Sequence, residues 1–97
     1  GAFKPQARPV PPPVKALSLS DLPRLSLAAK NLRERLERKE LGAGQAESLA
    51  LPLETKLDIL CTSPEVGTDE NLTGMCNRSL RDLSWVDRRA GELRAVP

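Results

Sequence analysis

An all-α fold is what this sequence predicts, and three observations predict it. Apolar residues recur at helical spacing in three segments. No segment alternates apolar and polar residues over the length of a strand. Proline or glycine stands where the first two helical patterns start or stop. The expectation is about three short amphipathic helices behind an extended, proline-rich N-terminal tail, with the division at 1–16 for a basic tail and 17–97 for a small helical interaction region.

The tail ends in Arg8-Pro9-Val10-Pro11-Pro12-Pro13 and carries no apolar pattern, so polyproline II is its expected form. Pro9 and Pro12 make a P-x-x-P, but Arg8 and Lys15 miss the offsets that fix orientation in an SH3-type groove, which favours an extended arm.

The first helix is the clearest. Leu22, Leu25, Ala29, Leu32 and Leu36 recur at spacings of 3, 4, 3 and 4, which confines them to roughly 80° of the helix surface. That is the width of a coiled-coil seam rather than a core face, although it lasts only about two heptads. Ser20 or Asp21 is a candidate cap, Pro23 suits the first turn, and Gly42 with Gly44 is expected to end the pattern. A second helix is expected from Pro52 to Cys61, with Leu53, Leu57 and Leu60 on one face. Residues 62–75 hold Ser63-Pro64, Gly67, Asp69 and Gly74 and read as a loop. A third helix is expected from Arg78 or Ser79 to Leu93, carried by Leu80, Leu83, Val86, Ala90 and Leu93.

Composition narrows what such a chain does. Only Phe3 and Trp85 are aromatic among 97 residues. Aromatic rings supply much of the buried area in small cores, and a domain of this size buries only about 60% of its unfolded surface. Folding that depends on a partner is therefore an expectation. Fifteen basic and 13 acidic side chains leave a net charge of +2, too balanced for a protein built around nucleic-acid phosphate. The charge is uneven, however. Residues 1–42 hold nine basic and four acidic groups (+5), residues 43–79 two and six (−4), and residues 80–97 four and three (+1).

The chain has no histidine and no tyrosine. That removes the commonest general base and metal ligand, and with them any Ser-His-Asp or Cys-His arrangement. Glu54 and Asp58 sit at helical spacing beside Lys56, on a face expected to be solvated rather than catalytic. Asp69 to Gly74 fits a calcium loop loosely, but its twelfth position would be Leu80 where a glutamate is needed. No catalytic residue, metal or cofactor is expected, and the chain is read as not an enzyme.

Cys61 and Cys76 are the only cysteines. They are a candidate disulfide, the alternative being two reduced, partly buried thiols. Asn71-Leu72-Thr73 and Asn77-Arg78-Ser79 are glycosylation sequons in the same region. Two cysteines are few for a small secreted domain, so an intracellular setting is favoured over a secreted or lumenal one. The sequence opens at Gly1, which reads as a processed or excised start, and it holds no apolar run long enough to cross a membrane.

The expected function is a helical protein-binding or scaffold subunit. The leucine seam (Leu22, Leu25, Ala29, Leu32, Leu36) and Trp85 would dock a helical or grooved protein. Arg24, Arg35, Arg38 and Lys39 form a basic flank beside the seam, and Arg81, Arg88 and Arg89 lie near Trp85. Two alternatives stand beside it. One is a secreted helical polypeptide with a Cys61–Cys76 bridge and glycans on Asn71 or Asn77. The other is a peripheral ribonucleoprotein subunit, weakened because no aromatic residue interleaves with the basic flank.

Overall fold

A computed structural model describes residues 16–95. All of the expected proline-rich tail except Ala16 lies outside the described residues. Four helices follow a 3-10 turn at Leu19–Asp21: α1 (Leu22–Glu37), α2 (Ala43–Cys61), the single turn α3 (Pro64–Gly67) and α4 (Glu70–Ala95). Among the described residues there is no strand. The three long helices form an up-down-up bundle in which α1 and α4 run parallel and α2 runs against both. Arg94 meeting Glu47 at one end of the α2–α4 pair and Cys61 meeting Cys76 at the other establish the antiparallel sense.

The α1 stripe is where its spacing predicts, and Leu22, Leu25, Ala29, Leu32 and Leu36 are all buried. They pack on α2 and α4 of their own chain. This corrects the expectation that the seam docks a partner or waits for one to cover it. A narrow stripe is wide enough here because two helices that bury alanines among their leucines close over it. Ala46 and Ala50 of α2 and Ala90 of α4 are fully buried and let the backbones approach.

The start of α1 is secured by Asp21, which is buried and accepts a hydrogen bond from the Ser18 backbone N–H at 3.0 Å. Its end does not await Gly42. Lys39 takes φ 61°, the left-handed conformation usually left to glycine. Its N–H reaches the Leu36 carbonyl at 3.1 Å, and the Glu40 N–H reaches the Arg35 carbonyl at 2.9 Å, which closes a Schellman-type stop.

Two boundaries differ from the sequence reading. α2 begins at Ala43, nine residues before Pro52, and Pro52 lies inside it. Ala46, Ala50, Leu53, Leu57 and Leu60 continue one stripe, and Pro52 faces solvent, so its ring and the carbonyl it leaves without a donor meet water. The Gly42 N–H is held by the Gln45 side chain at 3.1 Å. α4 begins at Glu70, so most of the expected 62–75 loop is helical. Asp69 is its cap: one carboxylate oxygen accepts the N–H groups of Asn71 at 2.9 Å and Leu72 at 3.2 Å. The stretch weighed as a calcium loop is therefore a helix start. Among the described residues no group of His, Cys, Asp or Glu is placed to hold a metal ion, and no helix is long and apolar enough to cross a membrane.

Candidate functional site

Trp85 is neither fully exposed nor part of the sealed core. It projects from α4 toward α1, half-buried and packed on the edge of the core. The parallel run of α1 beside α4 brings Arg33 over its indole, with the guanidinium carbon 5.0 Å from the ring centroid. Arg33 is held in that place from two sides, by Glu37 at 2.9 Å and Asp82 at 3.1 Å. Hydrogen bonding to Glu37 foremost, and to Asp82, raises its pKa above the ordinary arginine value.

Trp85 forms one wall of an open cleft of about 690 Å³ where α1 turns into α2. Leu36, Leu41 and Leu93 supply further apolar lining, and Arg33, Lys39 and Arg89 supply cations. Leu93, expected on the buried stripe of the last helix, is 38% exposed and belongs to this cleft. Arg89 is engaged by Glu92 at 3.0 Å. Among the described residues no ion pair reaches Lys39.

The expected basic flank does not act as one surface. Arg24 closes on Asp21 at 3.0 Å, and Arg35 and Arg38 both turn to Glu40, at 3.9 and 3.4 Å. Lys39 alone faces the cleft, because its left-handed backbone turns it away from the others. Helical projection cannot place a residue beyond the end of the helix, which is why the sequence grouped it with them.

The three interhelical furrows differ in chemistry. Lys30, Arg33, Arg78 and Arg81 line the one between α1 and α4. Glu54, Asp58 and Asp87 line the one between α2 and α4. Hydrogen bonding to Asp87, burial, and repulsion from Asp87 and Asp58 push the Glu54 carboxyl up to about 7. The furrow between α1 and α2 is mostly apolar, with Leu49 and Leu53 beside Ala28 and Leu32.

At the end of the bundle away from Trp85, Cys61 and Cys76 are joined by a disulfide with Cα atoms 5.8 Å apart. Asn71 and Asn77 are exposed on the first turns of α4. The hydroxyls of their sequons are used internally: Thr73 donates to the Val66 carbonyl and Ser79 to the Met75 carbonyl.

Comparison with protein-family models, with curated proteins and with solved structures finds no match to this chain.

Proposed function

We propose that this chain is a non-enzymatic protein-binding module whose docking point is the Trp85 cleft, and that its partner presents an acidic segment with an apolar side chain. One observation carries the reading. Lys39, the only non-glycine residue with positive φ among those described, is at the rim of the cleft walled by the only tryptophan. A lysine in that backbone conformation costs about 1 kcal/mol that a glycine would not, and strain of this kind concentrates where a side chain is needed in a particular place. The indole and leucines offer an apolar seat, and Lys39, which no ion pair reaches among the described residues, offers charge to a carboxylate beside Arg33 and Arg89, whose own partners are Glu37, Asp82 and Glu92. Tryptophan with arginine is the composition of interface hot spots. The leucine seam expected to share this role supports the cleft from within instead.

Trp85 is the only tryptophan in a chain without tyrosine, so its fluorescence reports on the cleft alone. A displayed random-peptide library selected on the oxidised chain and counter-selected on a Lys39→Glu, Arg89→Glu variant tests the proposal. The expected binders combine acidic and large apolar residues, shift Trp85 emission, and lose about tenfold in affinity on the variant, or roughly 1.4 kcal/mol. Binders indifferent to the variant and silent in Trp85 emission refute it.

A second reading concerns setting. The Cys61–Cys76 bond and the exposure of both sequon asparagines favour a secreted or lumenal, glycosylated polypeptide over the intracellular one. Intact mass after expression through a secretory pathway tests it. Glycan mass on an oxidised chain supports this reading, and a bare reduced mass excludes it.

A further inference from the structure

We propose that the furrow between α1 and α4 binds a sulfated polysaccharide, at a site that adjoins the Trp85 cleft through Arg33 but is otherwise lined by different residues. Lys30 and Arg33 on α1, and Arg78 and Arg81 on α4, are each spaced i, i+3. Because the two helices run parallel, these pairs flank one open furrow of about 640 Å³. Only Asp82 among its lining residues is acidic, and Arg33 already answers it at 3.1 Å.

Most arginines of this bundle are committed elsewhere: Arg24, Arg35, Arg38, Arg89 and Arg94 each close on a carboxylate. Lys30, Arg78 and Arg81 do not. Among the described residues none of the three makes an ion pair, yet all three line the same furrow. A concave row of uncommitted cations focuses potential on a linear polyanion. The carboxylates Glu54, Asp58 and Asp87 sit in a different furrow and repel such a chain there, which restricts where it lies.

The furrow selects among polyanions. Its apolar lining is Pro23, Leu27 and Met75, with no aromatic ring. Single-stranded nucleic acid is held largely by bases stacking on aromatic side chains, and nothing here supplies that. Sulfate esters on a saccharide need only cations and van der Waals contact. The ligand class rests on the secreted reading above, under which the chain meets sulfated glycans.

The test uses the full oxidised chain and titrates a heparin-derived oligosaccharide, its fully desulfated form and a poly(U) oligonucleotide of matched charge, each over a range of salt. A Lys30→Gln, Arg78→Gln, Arg81→Gln variant is compared with an Arg35→Gln, Arg38→Gln, Arg88→Gln variant, which removes the same three charges outside the furrow. Circular dichroism confirms that each variant keeps its helical signal. The expected result is salt-sensitive binding of the sulfated oligosaccharide that falls about tenfold or more in the furrow variant and little in the control. The desulfated form should bind much more weakly. Equal loss in both variants, or no loss in the furrow variant, overturns the location. Poly(U) bound as tightly as the oligosaccharide overturns the ligand class.

Discussion

Removing the disulfide offers the sharpest test of how this bundle holds together. Cys61 ends α2 and Cys76 lies in the second turn of α4, and the bond between them closes a loop of sequence separation 15. In the chain-entropy treatment a loop of that length restricts the unfolded chain by about 3 kcal/mol at 25 °C. Among the described residues the core it helps to hold is small, made of leucine, alanine, valine and Cys76, with no fully buried aromatic ring. Three kilocalories is therefore a large part of the about 5–15 kcal/mol that typical domains have in total. At about 4–8 °C per kcal/mol for a domain of this size, the melting temperature should fall by about 12–24 °C. The assay is a far-ultraviolet circular dichroism melt of the oxidised chain, the chain in reductant, and a Cys61→Ala, Cys76→Ala variant. The reduced chain and the variant should melt together, well below the oxidised form. If reduction moves the midpoint by less than about 4 °C, the entropic argument fails. The turn through α3 would then already be restrained in the unfolded chain.

Three further outcomes follow from the packing and charge. Leu57 is fully buried, so Leu57→Ala should cost about 2–5 kcal/mol in a denaturant titration. Ile59→Ala, at a side chain 56% exposed, should cost much less. Lys39→Gly should raise stability by about 1 kcal/mol by relieving the left-handed lysine, while weakening whatever docks at the cleft. Glu54, whose carboxyl is pushed up to about 7 from 4.5, binds its proton more tightly in the folded chain than in the unfolded one. That stabilisation is complete below about pH 4.5 and is lost as the pH rises through about 7. Partial exposure screens it to about 1 kcal/mol at most. Melts at about pH 5 and about pH 8 should therefore differ in the wild type and converge in Glu54→Gln.

The helices were legible wherever leucine carried the period. α1 was read from its five stripe positions because each is apolar and each is buried. The first half of α2 carries no legible period because its buried face is written in alanine, at positions 46 and 50, and alanine is a weak marker of burial. Pro52 then looked like a start, since the sequence does not say that its ring faces water. The start of α4 is hidden because Asp69 reads as a turn residue beside Ser63-Pro64, Gly67 and Gly74, whereas its carboxylate caps the helix. The cleft was only half visible. Trp85 and Lys39 stand out in the sequence, but Arg33, Leu41 and Leu93 join them only through the parallel packing of α1 beside α4, for which no local pattern codes. The seam's destination, its own chain rather than a partner, was illegible for the same reason.

The placement of Pro52 has a consequence for motion. With no N–H at that residue, α2 is two half-helices that share an axis but lack one rung of the ladder between them. The half running to Cys61 is bound covalently to α4, whereas the half starting at Ala43 is tied to α4 by the exposed Arg94–Glu47 pair and by small alanine contacts. Amide protons should therefore exchange along a gradient, slowest beside the disulfide and fastest around residues 43–51. Gly42 and Ala43 line the Trp85 cleft, so the softer pole of the bundle is also the one that forms the cleft wall. A ligand seated against Trp85 would register as slowed exchange at the start of α2, far from the cysteines, before any change appeared in the overall melt.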